Sequence, residues 1–295
     1  MSAIRGWFHE AVGKVRAFAY GRPKREARRP RVGLALGGGF ARGIAHIGVL
    51  KVFEENKIPI DYIAGTSVGA LIAAAYACGS PSSEMQKHAA ATQFKDFGRW
   101  TLSWLGLASN ERLEGYLARF CAVTRFEELK TPLAIAATDL GSGKSVYFTK
   151  GEIAPPLRAS CAYPGLFLPV EHEGKILVDG FLTAPVPVET LKQMGAEFII
   201  AVYLDPGTSN EPPKNVADVI SRSFTIMQRS ANQQWRERSD VVIEPDVKQY
   251  LWDNFAKTPE LIAAGEAAAR AALPKIRAAL MPAETVPAAQ SPAYR

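Results

Sequence analysis

The chain has 295 residues, 47% hydrophobic and 22% charged, enough to bury a large core in one domain or two. No apolar stretch is both long enough and free enough of charge to span a bilayer; the most apolar, Val68 to Cys78, is short and Ala-rich. The formal net charge is +6, much of it at the front, and the three cysteines, Cys78, Cys121 and Cys161, are odd in number and widely separated, which predicts free structural thiols in a reduced compartment and no metal site.

Residues 1–31 differ from the rest. Trp7, Phe8, Ala11, Val12, Val15, Phe18 and Ala19 recur at helical spacing, with Arg5, Lys14 and Arg16 between them and six more Arg and Lys residues from Arg22 to Arg31. The stretch lacks the continuous apolar core and small-residue cleavage site of a secretory signal. A basic amphipathic helix with Trp and Phe suits an anionic membrane surface. A helix packed on the domain, or a disordered basic arm, accounts for the same pattern.

From Arg31 onward strands and helices alternate. Val32–Leu36 predicts a strand, Ala41–Asn56 a helix, Tyr62–Ala64 a strand and Ser67–Ala77 a helix. This order predicts an α/β fold with a mostly parallel central sheet and helices on both faces. Ser82–Phe94 and Asn110–Cys121 read as helices. Between them Phe97, Trp100, Leu102, Trp104, Leu105 and Leu107 form an apolar insert; core packing is the commoner fate of such residues, a lid facing lipid the alternative. Pro132–Thr138 and Ser145–Thr149 read as strands joined by a hairpin turn at Asp139–Lys144.

Ile153–Cys161 reads as a helix with Pro155 and Pro156 in its first turn. Val170–Glu171 and Lys175–Val178 form a second hairpin that ends at Asp179. A helix at Pro187–Met194, a strand at Phe198–Leu204, a long helix at Val216–Arg238, a strand at Val241–Glu244 and an Ala-rich helix at Thr258–Leu280, kinked at Pro274, complete the pattern. The expected organisation is a basic segment at residues 1–30, one domain at 31–280 and a disordered Pro- and Ala-rich tail at 281–295.

Two glycine-framed turns stand out. Leu36-Gly37-Gly38-Gly39-Phe40-Ala41-Arg42-Gly43 follows the first strand, and Gly65-Thr66-Ser67-Val68-Gly69 follows the second. The second fits G-x-S-x-G, a nucleophile elbow in which the turn is too tight for flanking Cβ atoms and the serine hydroxyl is held out at a helix N-terminus. The bland reading is a serine that merely caps a helix. The first turn supplies a row of N–H groups, from Gly37, Gly38 and Gly39, that can bind a developing oxyanion. Arg42 either ties down the glycine loop or meets a lipid phosphate or carboxylate, and Val68 is a second candidate for contact with substrate. Dinucleotide and P-loop readings fail: a third glycine is missing after Gly39, and Thr138 stands where Gly141–Ser145 would need a first glycine.

A serine hydroxyl needs a base. His9 lies in the basic segment. His46 falls mid-helix beside Ile44 and Ile47, as a packed, hydrogen-bonded histidine would. His88 is on a solvated helix face, and His172 sits exposed between Glu171 and Glu173. Only Ser67, Asp139 and His172 follow the chain order of an α/β-hydrolase triad. Asp179-Gly180 is, taken alone, an ordinary turn.

Gly37-x-Gly39-x-x-Arg42-Gly43, then Gly65-x-Ser67-x-Gly69, then Asp179-Gly180 after a long gap resembles the patatin-like phospholipase family. The runs Arg42–Leu50 and Ala159–Gly165 resemble its bacterial members. The resemblance extends roughly from Arg31 to the Asp240–Glu244 strand. It implies a three-layer fold and hydrolysis of lipid acyl esters by a Ser67–Asp179 dyad without histidine, with no cofactor. The partner it implies is a phospholipid or another acyl-ester lipid, with no nucleic acid, in the cytoplasm or peripherally on the inner membrane face. Phe181, where a small residue usually follows Asp-Gly, and Ala184, where an asparagine often precedes Pro-Val, depart from the pattern around Asp179. A weakly catalytic or non-catalytic relative acting through a protein partner is the alternative from another class, and a nucleotide-binding protein a third. The motifs specify neither the ester position nor an oligomeric state.

Overall fold

Strand β1 (Val32–Leu36) is apolar apart from Gly33 and buried along its whole length, as a strand covered on both faces must be. The structure, a computed structural model, describes residues 28–281 apart from 208–211, 232 and 252. The expectations for the basic segment and the tail therefore fall almost wholly outside the described residues. After β1 a 3₁₀ turn at Phe40–Ile44 leads into α1 (Ala45–Glu55), then β2 (Tyr62–Thr66), α2 (Val68–Cys78) and α3 (Ser82–Ala91). A short hairpin follows, β3 (Arg99–Trp100) and β4 (Gly106–Ser109), then α4 (Arg112–Leu117). Strands β5 (Leu133–Asp139) and β6 (Lys144–Phe148), helix α5 (Ala154–Ser160), and strands β7 (Gly165–Phe167), β8 (Val170–His172) and β9 (Lys175–Asp179) come next. The chain continues through α6 (Val188–Met194), β10 (Phe198–Val202), α7 (Val216–Ala231), α8 (Gln233–Glu237), β11 (Val241–Ile243) and α9 (Thr258–Leu280).

The central sheet runs β11-β10-β1-β2-β5-β9-β8, with β6 also paired to β5. Pairings from β11 to β5 are parallel, and those of β6, β8 and β9 antiparallel. On one face Ala35, Ala64, Ile199 and Ala201 cluster with Leu191 of α6 and Trp235 of α8. The alternate residues Leu34, Leu36, Ile63 and Ile200 are equally buried, so the other face is covered as well. The fold is the three-layer α/β arrangement expected.

Strand β5 is the branching point that matters for the site. Its first half pairs with β2, Thr66 beside Ala136; its second half pairs with β9, Ala137 beside Asp179. The C-terminal end of β2 and the end of β9 are thus brought to one spot by register alone.

Several local expectations need correction. Most of the apolar insert does not enter the core: Trp100, Leu102, Trp104, Leu105 and Leu107 are all exposed, and only Phe97 is half-buried, on the wall of an apolar cavity. Strand β7 had no alternating pattern to announce it. The expectation of a long helix over Val216–Arg238 stands, since Val216–Ala231 and Gln233–Glu237 are helical on either side of residue 232, which lies outside the described residues; α9 carries Pro274 within it. His172 and His88 are half-buried, packed against Phe148 and Phe120.

The thiol expectation also fails for two residues. Cys78, at the end of α2, and Cys121 form a disulfide with Cα atoms 5.4 Å apart, leaving Cys161 free. Their distance in sequence concealed the pairing, and the inference of a reduced compartment loses its ground with it. The bridge closes a loop of 43 residues. On the chain-entropy account, Cys121→Ala should lower stability by about 4 kcal/mol. Thiol titration of the denatured, unreduced protein should find Cys161 alone; three reactive thiols would show that the bridge is absent.

Among the described residues no helix is long and apolar enough to cross a membrane.

Candidate active site

Ser67 is the hinge between β2 and α2. Its φ of 56° and ψ of −128° lie where a residue with a side chain is rarely found, and such strain persists only when the surroundings enforce it. Here the enforcement is steric. A Cβ at Gly65 would come within 2.4 Å of Ala70 Cα, and one at Gly69 within 2.3 Å of the Leu36 carbonyl oxygen. The Ser67 N–H donates to Ser160 Oγ at 2.8 Å, fixing the turn to α5. The hydroxyl makes no cap to its own helix; it donates to Asp179 Oδ2 at 2.7 Å.

Asp179 ends β9 and is 1% exposed. Its Oδ1 accepts the Phe181 N–H at 2.9 Å, its own N–H donates to Ala162 O at 3.0 Å, and its carbonyl accepts from Thr138 Oγ1 at 2.9 Å. Burial raises its pKa to about 7, against the opposing pull of the bonds from Phe181 N–H and the Ser67 hydroxyl. At the two departures noted around it, the backbone makes contacts that do not depend on the side chain. Phe181 supplies that N–H, and the Ala184 carbonyl accepts from Thr66 Oγ1 at 2.7 Å.

The glycine loop lies against Ser67: a Cβ at Gly38 would be 3.4 Å from Ser67 Cβ. Its three N–H groups are not equivalent, which corrects the expected row. Gly37 N–H is committed to Val202 O at 3.0 Å, extending the pairing of β1 with β10. Gly38 N–H makes a longer bond to Pro185 O at 3.3 Å, and Gly39 N–H makes no backbone hydrogen bond among the described residues. His46 holds this loop from beneath. Burial lowers its pKa to about 4, so the ring is neutral and its Nε2–H donates to Gly37 O at 2.8 Å. The packed, hydrogen-bonded histidine is what the sequence suggested.

Val68 and Cys161 share with Ser67 the lining of an apolar cavity of about 90 Å³ that is partly open to solvent, walled also by Ile44, Leu71, Leu113 and Phe167. The half-buried Cys161, beside Ser67 and the Asp179 carboxyl, has its thiol held well above its ordinary pKa by desolvation and stays protonated. Arg42 lies on the 3₁₀ turn after the loop. Its Nε and Nη1 are buried without a hydrogen-bond partner, so the guanidinium does not tie down the loop through those atoms.

The alternative triad does not assemble. Asp139 Oδ1 and Oδ2 accept from Gly141 N and Ser142 Oγ, at 3.0 and 2.7 Å, capping their own exposed turn. His172 lies against Glu173 and Phe148. Two contributors carried no separate chemical signal in the sequence: Ser160, whose hydroxyl takes the Ser67 N–H, and Thr138, which steadies the Asp179 backbone. Ser160 stood within Ala159–Gly165, a run singled out only by family resemblance.

Fold and site together define a three-layer α/β protein with a serine on a strained strand-to-helix turn, bonded to a buried carboxylate. Residues 34–192 match the patatin-like phospholipase family, and the chain belongs to it. An uncharacterised NTE family protein of Mycobacterium tuberculosis is 32% identical over 210 residues, covering 65% of this chain and 55% of that protein. Another, from Mycobacterium bovis, is 29% identical over 272 residues, 82% of this chain and 46% of its own. Lysophospholipase nte1 of Aspergillus fumigatus is 30% identical over 205 residues, 67% of this chain and 13% of its own. The chain spans about half the length of these bacterial relatives. VipD from Legionella pneumophila aligns over 84% of this chain and 67% of its own at 12% identity, with a TM-score of 0.47.

Proposed function

We propose that this protein is a lipid acyl-ester hydrolase in which Ser67 is the nucleophile and Asp179 the base. The observation that carries the reading is the 2.7 Å hydrogen bond from the strained Ser67 hydroxyl to a carboxylate that is 1% exposed. Membership of the patatin-like phospholipase family and the name of the fungal relative support a lipid substrate.

In this reading Ser67 Oγ attacks the ester carbonyl carbon as its proton passes to Asp179 Oδ2. The carbonyl oxygen, now negative, takes hydrogen bonds from the N–H groups of Gly39 and of Gly38, whose long bond to Pro185 O is readily exchanged; Gly37 is left out because its N–H is spent in the sheet. Collapse of the tetrahedral intermediate releases the alcohol, protonated by Asp179, and leaves an acyl-enzyme. Asp179 then takes a proton from water, the hydroxide attacks the acyl carbon, and the fatty acid departs as Ser67 regains its proton. The apolar cavity receives the acyl chain with Val68 in its wall, and Arg42 offers buried donors to a phosphate or carboxylate. Peripheral association through residues 1–31 remains part of the proposal on the sequence pattern alone.

Labelling with a fluorophosphonate followed by peptide mapping tests the nucleophile. The adduct is expected on Ser67; an adduct elsewhere, or none, overturns the assignment.

A base with a pKa of about 7 works only when ionised, so kcat/KM should rise with pH and level off above about 7. Stability should follow the opposite course. The folded protein holds the Asp179 proton from the ordinary carboxylate value up to about 7, while the unfolded chain has lost it. This contribution is therefore fully present below about pH 4 and lost as pH rises through 7. Thermal unfolding of wild type and Asp179→Asn across that range isolates it: the difference between them should change steadily from pH 4 to 7, and a constant difference would refute the raised pKa.

A further inference from the structure

Trp100, Leu102, Trp104, Leu105 and Leu107 crowd eight consecutive positions of the β3–β4 hairpin, and all are exposed. Leu102 and Trp104, at 104% and 105%, are as open to solvent as in an extended chain. From Trp100 to Asn110 the sequence carries no charged residue. Single apolar side chains on a surface need no explanation, but a run of this density marks an interaction site.

The hairpin is fastened to the wall of the cavity that contains Ser67. β4 lies parallel to β7, with Ala108 beside Phe167. A Cβ at Gly106 would fall 2.8 Å from the Phe167 carbonyl carbon, so only glycine permits that approach. Trp100 stacks on Phe94 with centroids 5.0 Å apart, and Phe94 stacks on Phe167 at 5.9 Å. Phe167 and Phe97 both line the cavity. A column of aromatic rings therefore connects the exposed tip with the cavity interior.

We propose that the β3–β4 hairpin is the element by which this protein enters a lipid surface, its tip replacing acyl-chain volume while its base passes a lipid chain toward the cavity. The purpose of this device rests on the hydrolase reading; the insertion itself does not. Three observations favour lipid over a protein partner. The tip is uncharged and protrudes, whereas a stable protein interface needs about 800 Å² on each side with polar groups at its rim. Cationic residues flank the hairpin, with Lys95 exposed, Arg99 exposed and paired with Glu111 at 3.6 Å, and the Arg112 guanidinium bonded to the Lys95 carbonyl at 2.9 Å. Apolar tip, tryptophan and then cations is the order met on crossing from acyl chains to phosphates. The aromatic column, finally, leads to an apolar cavity and not to a polar one.

The test uses the full chain and vesicles of phosphatidylcholine in high salt, which removes the electrostatic share of any binding by residues 1–31; their apolar share is common to wild type and variants and cancels in the comparison. Wild type and Ser67→Ala are expected to co-sediment equally, with a blue shift of tryptophan emission. L102S/W104S is expected to partition about a hundredfold more weakly or worse, since two large side chains no longer transfer out of water. Its turnover of a short-chain soluble ester should be unchanged, because neither residue touches the cavity. Undiminished binding by L102S/W104S, or no binding by wild type, overturns the proposal. So does a concentration-dependent dimer of wild type that L102S/W104S abolishes, which would give the face to a second copy. Loss of soluble-ester turnover in wild type would count against the hydrolase reading alone, since vesicle binding is read without chemistry.

Discussion

Ser67→Ala is expected to reduce ester hydrolysis by about 10⁴-fold or more while leaving the protein folded. Removing the nucleophile of a serine hydrolase removes the covalent route altogether, and other machinery offers only a small residual rate. The fold should hardly notice. Alanine meets the same strain at a φ of 56° as serine does, and the turn is set by the close approaches at Gly65 and Gly69. The Ser67 N–H keeps its bond to Ser160 Oγ, because it is a backbone donor. What is lost is one hydrogen bond to a buried acid, on the order of 1 kcal/mol. Deprived of it, Asp179 should hold its proton still more tightly, because that bond lowers its pKa in the wild type. Turnover of a soluble ester and a thermal melt decide the matter together. Full activity in the pure variant would remove Ser67 from the mechanism; inactivity with a collapsed melting temperature would show that the hydroxyl is structural.

Asp179→Asn is expected to cost about 10³-fold in kcat, and His172→Ala almost nothing. Asparagine preserves shape and can still accept the Phe181 N–H through Oδ1. Its amide nitrogen, however, faces Ser67 Oγ as a donor where the carboxylate was an acceptor, so the hydroxyl proton has nowhere to go. General-base catalysis contributes about 10²- to 10⁴-fold, which sets the scale. The rise of kcat/KM through pH 7 should vanish with it, a signature that mere misfolding would not produce. His172 is packed on Phe148, beside Glu173, on a different hairpin turn, and Asp139 is occupied by Ser142 and Gly141. An inactive His172→Ala with an active Asp179→Asn would reverse the assignment.

Much of the architecture was legible in the order of residues. The apolar runs at Val32–Leu36, Tyr62–Ala64 and Phe198–Leu204 became buried strands because a strand covered on both faces has no other way to read. The insert around Trp104 was misjudged for a definite reason. Periodicity reports which residues are apolar, but not whether a neighbouring layer exists to cover them; β4 is largely buried beside β7, while Trp100, Leu102, Trp104 and Leu105 stay exposed.

The Gly37 and cysteine expectations failed on the same ground. A glycine row promises N–H groups, yet whether each is free depends on what lies across the sheet, and Val202 O lies across from Gly37. Nothing in the spacing of Cys78 and Cys121 foretold a bridge across 43 residues.

By itself, then, the sequence determined features whose causes are local. The strained backbone at Ser67 follows from glycines two residues to either side, and the alternation of strand and helix follows from periodicity within a dozen residues. Tertiary structure decided everything that depends on partners. Ser67 and Asp179 stand 112 residues apart and meet because β5 pairs with β2 along one half and with β9 along the other. The same meeting buries the carboxyl, and burial raises its pKa to about 7. A side chain's identity is written at its own position, but its solvation and its hydrogen-bond partner are properties of the register that places other strands beside it.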